Sequence, residues 1–142
     1  MRWLLLILCC LQICAADLAS IRQEPNLERR SQLAIENAGA ALDTARSSYQ
    51  AGDNDKTQAA LHEVEESVNL AYESLLETGK EARRNPKFFK RTELATRQLL
   101  RRMEGLVESM SFQDRALAER VRDRVATVHD DLVNDIMSKK RK

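Results

Sequence analysis

Beyond residue 14 the chain has no cysteine: Cys9, Cys10 and Cys14 are the only three, and all lie near the start. From Asp17 onward, disulfides, thiol chemistry and haem attachment through a C-x-x-C-H pair are therefore excluded. Aromatic residues are almost as scarce. Apart from Trp3, only Tyr49, Tyr72, Phe88, Phe89 and Phe112 occur, too few for extended stacking platforms under bases or sugars; no nucleic-acid partner is expected. Glycine (4) and proline (2) are rare and fall between long stretches rich in Ala, Leu, Glu, Arg and Gln, all good helix formers. No strand pattern is evident, so no glycine-rich phosphate loop follows one. Long apolar runs are missing too. The longest, Trp3 to Ile13, has about eleven residues against the roughly 20 that cross a bilayer as a helix, so no transmembrane helix is expected in the mature chain.

What is present begins with MRWLLLILCCLQICAAD. One charge at Arg2, the apolar run and small residues before Asp17 have the layout of a secretory signal. The layout predicts a signal peptide over residues 1–16, cleaved after Ala16, and an exported protein, periplasmic or extracellular. A lipid anchor on Cys14 is the alternative: Leu11 stands three residues before it, although Ile13 occupies the place where a small residue usually precedes a lipidated cysteine. Removing 16 residues from 142 leaves 126, enough for one domain held by its core alone.

The sparse punctuation predicts an all-α fold of four long helices over residues 26–138, after an N-terminal extension at 17–25 and before a basic tail at 139–142. The first helix starts near Asn26, whose side chain can accept an amide hydrogen of the opening turn, and runs to Gln50. Ile35, Ala38, Leu42, Ala45 and Tyr49 recur at spacings of three and four on one stripe. Gly39 within it costs about 1 kcal/mol relative to Ala, which points to a close helix contact. Ala51-Gly52-Asp53 supplies a left-handed stop and a new cap. A second stripe follows, Leu61, Val64, Val68, Ala71 and Leu75, ended by Gly79. Asn85-Pro86 opens the third helix, since proline suits a first position that needs no amide donor; its stripe is Phe89, Leu99, Met103, Leu106 and Met110, flanked by Leu100 and Val107. Ser111 to Asp114 break the chain again before Ala118, Val121, Val125, Val128, Leu132 and Ile136. Helices of about 24 residues span roughly 36 Å, and none is apolar all round, so each needs a neighbour. An antiparallel up-and-down four-helix bundle of two long hairpins satisfies this. Two hairpins packed loosely on one another are the competing architecture.

Charge is balanced overall and segregated along the chain. Residues 17–79 carry 5 basic and 12 acidic groups, residues 80–102 carry 9 and 2, and residues 103–142 carry 8 of each. The densest stretch, GKEARRNPKFFKR, holds Lys80, Arg83, Arg84, Lys87, Lys90 and Arg91 around two phenylalanines. One reading makes it a patch for phosphate, anionic lipid or an acidic protein face. The other makes it a joint, with Phe88 and Phe89 closing the core and the cations neutralised by Glu63, Glu65, Glu66, Glu73 and Glu77 of the second helix. Adjacent antiparallel helices would lay the negative and positive blocks side by side, which favours the joint. The terminal SKKRK complements a helix C-terminus by typically about 0.3 to 1 kcal/mol.

Catalytic and metal signatures are absent. A di-iron bundle needs paired Glu-x-x-His spacings, yet Ala59 and Ala126 stand three residues before His62 and His129. His62 with Glu66, and His129 with Asp130, Asp131 and Asp135, read as solvated helix faces. The serines have no nucleophile-elbow or serine-lysine setting. No enzyme activity, cofactor or metal is expected, and a small-ligand or metal carrier using the bundle interior is the alternative function.

ARSSYQAGDNDKTQAAL resembles one tetratricopeptide-type hairpin, with Tyr49, Gly52 and Asp53 at its aromatic, turn and cap positions. Thr57 stands where alanine is expected and no second copy follows, so a repeat array is not implied. SIRQEPNLERRSQLA, YQAGD and NPKFFKRTELATRQLLRR resemble segments of small exported bacterial α-helical proteins of unassigned function, a resemblance that brings no functional residues with it. The expected role is binding or scaffolding, with a protein or an envelope surface as partner and a homo-oligomer as one form of it. Leu70, Leu76 and Leu94, which lie off the stripes, mark a candidate partner face.

Overall fold

The computed structural model describes residues 17–138; the signal assigned to 1–16, with Cys14, and the basic tail 139–142 lie outside the described residues. Five helices pack against one another: α1 (Leu18–Arg22), α2 (Leu27–Gln50), α3 (Asn54–Glu77), α4 (Pro86–Ser109) and α5 (Ala116–Met137). The four long ones begin and end within a residue or two of their sequence punctuation. Asn26 Oδ1 accepts from Arg29 N–H at 3.0 Å and Asp53 Oδ1 from Lys56 N–H at 3.0 Å, satisfying amides that an uncapped first turn leaves without partners. Gly52 (φ +76°) and Gly79 (φ +65°) occupy the left-handed region that closes α2 and α3, a conformation that costs side-chain-bearing residues more than glycine.

The fifth helix is an addition to the expected four. The extension at 17–25 folds into α1, capped by Asp17, and its Leu18 and Ile21, three residues apart on one face, are both buried. Arg22 bonds Glu66 on α3, and Leu70, one turn further along α3, is buried as well. Leu70 therefore belongs to the core and not to a partner face.

Hydrogen bonds between helices fix their directions. Arg30 reaches Ser74 and Asn37 reaches Ser67, so α2 and α3 are antiparallel. Glu93 meets His129, and α4 and α5 close by a short connection. Between α2 and α4 the pairs are Ser31 with Thr92, Gln32 with Arg91, and Asp43 with Arg102, an ascending register that makes these two helices parallel. Both α2 and α5 lie against α3 and α4, while α3 and α4 touch only sparingly and α2 and α5 make no close approach. Consecutive helices α3 and α4 thus sit across a diagonal, not side by side. The reason is connection length: residues 78–85 separate α3 from α4, and eight residues reach about 26 Å when extended, ample to cross a diagonal when neighbouring axes are roughly 8–10 Å apart. The three-residue turn at 51–53 has no such reach.

Leu42, Leu61, Leu75, Met103, Leu106 and Leu132 are the largest apolar side chains fully inside, joined by Val64, Val68, Val121, Val125 and Val128. Small residues Ala34, Ala38, Ala41 and Ala45 line α2 where it meets Ala60, Ser67, Ala71 and Ser74 of α3, and all are buried. Between α2 and α4 two arginines embrace reciprocally. Arg102 lies over Gly39, donating to its carbonyl and to Asp43; Arg46 lies over Gly105 and donates to Arg102 O at 3.0 Å. The close contact expected at Gly39 is made by a guanidinium.

Candidate functional site

Lys80, Arg83, Arg84, Lys87, Lys90 and Arg91 are all exposed and share the end of the molecule where α3 and α5 stop and α2 and α4 start. The connection that carries the first three is ordered by its own backbone. Arg84 and Asn85 N–H both donate to Glu81 O, at 3.0 and 2.9 Å, and Ala82 is buried as an anchor. Pro86 then opens α4, Phe89 inserts beneath the connection, and Phe88 stays half-buried with Lys87 Nζ 5.3 Å from its ring centroid, within the range of a cation–π contact.

Of the five acids expected to neutralise this stretch, Glu65 and Glu73 make no ion pair among the described residues, and the other three are turned elsewhere. Glu63 accepts from Asn37, Glu66 pairs with Arg22, and Glu77 pairs with Arg30. Because the chain crosses the diagonal before α4, the basic block starts beside α2 and not along α3. Lys80 consequently pairs with Glu28, Arg84 with Glu81, and Arg91 donates to Gln32 at 3.1 Å. Glu28, Glu77 and Glu81 each have a cation already. Among the described residues, Arg83, Lys87, Lys90 and Arg91 make no ion pair. Helix dipoles do not offset them: two N-termini and two C-termini meet at this end and largely cancel. A recess opens beside the connection, lined by Leu76, Lys80, Ala82, Arg83, Phe89 and Asp135 among others. Asp135 at its edge accepts from Tyr72 at 2.8 Å; burial, then that carboxylate, holds the Tyr72 phenol above its ordinary range.

Of the α5 cluster expected on a solvated face, Asp130 is exposed, whereas His129 and Asp135 are turned to neighbouring helices. His129 Nε2 donates to Glu93 Oε1 at 2.9 Å, Asp135 turns to α3, and the two are separated. Glu93, only 6% exposed, also holds Arg97, and lies beside the buried Thr92 and Thr96. This buried polar layer was not picked out from the apolar stripe. Its signal was the gap between Phe89 and Leu99, which Thr92 and Thr96 fill at helical period. Among the described residues, no group of three or more His, Cys, Asp or Glu is placed to hold a metal ion, and no helix is long and apolar enough to cross a membrane. Leu76 and Leu94 are both about half exposed but sit outward on α3 and α4, diagonal partners, so they form no common face.

The opposite end is closed by side chains. Tyr49 Oη accepts from Ser111 N–H at 2.9 Å and donates to Asp114, which also takes the Ser111 hydroxyl at 2.7 Å. That knot ties the end of α2 to the α4–α5 connection. Comparison with protein-family models, curated proteins and solved structures finds no significant match to the chain.

Proposed function

We propose that the protein is an exported, non-catalytic binding protein, built as an up-and-down bundle of four long helices behind a cleaved signal peptide, and that it engages an anionic partner through the end carrying Lys80 to Arg91. The observation that carries this reading is the division of charge at that end. Glu28, Glu77 and Glu81 are occupied by Lys80, Arg30 and Arg84, which leaves Arg83, Lys87, Lys90 and Arg91 exposed without an ion pair among the described residues. An uncompensated cluster of one sign raises the local concentration of opposite charge and speeds encounter. Segregation of charge in the sequence supports the same reading, because a topology that parts α3 from α4 keeps the acids of α3 away from the basic run, although α2 supplies Glu28 to Lys80 and Asp43 to Arg102.

Retention on immobilised heparin, used as a generic polyanion, tests the reading. Binding at low salt should weaken steeply as ionic strength rises and the Debye length falls from about 30 Å at 0.01 M to about 8 Å at 0.15 M. Arg83→Glu combined with Lys87→Glu, Lys90→Glu and Arg91→Glu should abolish retention while leaving the helical spectrum unchanged. Retention that is insensitive to salt, or equal in this variant, would remove the basic end from the account.

A further inference from the structure

We infer that the anionic partner is a lipid bilayer surface, on which the molecule stands with its basic end down. This rests on the proposed binding role of that end and narrows it to one class of partner.

Apolar side chains accompany the cations. Leu76, in the last turn of α3, is 50% exposed and Met137, in the last turn of α5, is 74% exposed. The Tyr72–Asp135 hydrogen bond, close by in both helices, holds these two ends together. Leu76 shares its recess with Arg83 and Arg84, and on the far side of the end the half-buried Phe88 carries Lys87 over its ring. Cations interleaved with apolar groups suit the boundary between headgroups and acyl chains, where both find a partner. Asp135, at the edge of the recess, accepts from Tyr72.

The unpaired charges spread from Arg83 in the α3–α4 connection to Arg91, beside Gln32 of α2, and do not converge on one point. A single phosphate or carboxylate would meet only a fraction of them; a continuous anionic plane meets them together. Each basic side chain near such a surface tightens binding about fivefold.

The chain from Asp17 to Lys142 is the sample to use, because every residue of the described core lies within it. Vesicles of phosphatidylcholine alone and of phosphatidylcholine mixed with phosphatidylglycerol are compared by co-sedimentation across a salt series, beside heparin retention. Single-cysteine variants Met137→Cys and Phe112→Cys, each carrying an environment-sensitive fluorophore, report orientation; Phe112 is 85% exposed at the opposite end. Salt-sensitive binding to the mixed vesicles only, at least tenfold above neutral ones, with a blue shift at 137 and none at 112, is the expected result. Leu76→Ser with Met137→Ser, two exposed changes, should weaken vesicle binding several-fold and leave heparin retention intact. Heparin retention without vesicle binding overturns the bilayer as partner and spares the basic end, pointing instead to an acidic protein or glycan. A blue shift at 112, or at both sites alike, overturns the orientation. Loss of both heparin and vesicle binding takes the two readings down together.

Discussion

The two ends of this helical stack close in opposite ways. At one, a three-residue turn with Gly52 and Asp53 and the Tyr49–Ser111–Asp114 knot tie neighbouring helices by short hydrogen bonds. At the other, a longer connection crosses a diagonal, Asn85 caps α4 with no side-chain hydrogen bond, and closure depends on Phe89 below and Ala82 beside it. Charge follows geometry. The tight end bonds Tyr49, Ser111 and Asp114 to one another, whereas the wide end presents Arg83, Lys87, Lys90 and Arg91 with no ion pair among the described residues. A connection long enough to skip a neighbour is thus what sets the two ends apart, the wide one being the end proposed to bind.

The difference can be broken most severely at Phe89. It is 3% exposed, and Phe89→Ala should cost about 3–5 kcal/mol, read as a lowered midpoint in urea unfolding. Next come the two caps. Asp53→Ala removes the acceptor of Lys56 N–H and should cost about 1 kcal/mol, whereas Asn85→Ala, with no such bond to lose, should cost a few tenths of that; equal losses would erase the distinction between these two caps. Tyr49→Phe keeps the ring and deletes both hydroxyl bonds, for about 0.5–1.5 kcal/mol. Gly39→Ala goes the other way. Its new Cβ would sit 3.5 Å from Arg102 Nη1, an ordinary contact, so the helix gain of up to about 1 kcal/mol should appear as a higher melting temperature.

The smallest effect concerns pH. The raised Tyr72 value in the folded state means the folded form holds that proton more tightly than the unfolded one. Its contribution is complete below the ordinary tyrosine value near 10 and is lost as pH climbs through the folded value. Tyr72→Phe should therefore flatten the alkaline decline in unfolding free energy above about pH 10, measured against the parent by denaturant titration.

Much of this architecture can be read from the residues because punctuation and period agree. Asn26, Gly52, Asp53, Gly79 and Pro86 bound helices whose stripes repeat at three and four, and the structure buries Leu61, Val64, Val68, Ala71 and Leu75 together. Three features escape such reading for physical reasons. Neighbour choice depends on where α4 docks after residues 78–85, and a stripe says only that a partner is needed. Thr92, Glu93 and Thr96 occupy core positions that hydrophobicity alone passes over. In α1, five residues are too few for a period to emerge, and its existence depends on the Asp17 cap and on a docking site across α2 and α3. The basic residues were evident in the sequence; that Glu66, Glu77 and Glu63, three of their expected counter-charges, turn to Arg22, Arg30 and Asn37 is a product of topology.

The reciprocal embrace of Arg46 and Arg102 joins residues 56 positions apart in the sequence, whereas the α2–α3 and α4–α5 hairpins close through turns of a few residues at 51–53 and 110–115. Each hairpin can consequently zip soon after its turn is made, and the latch between them must wait for the later pair. A chain delivered amino-terminus first holds both α2 and α3 before α4 exists, so the guanidinium latch is a contact between hairpins and not within one.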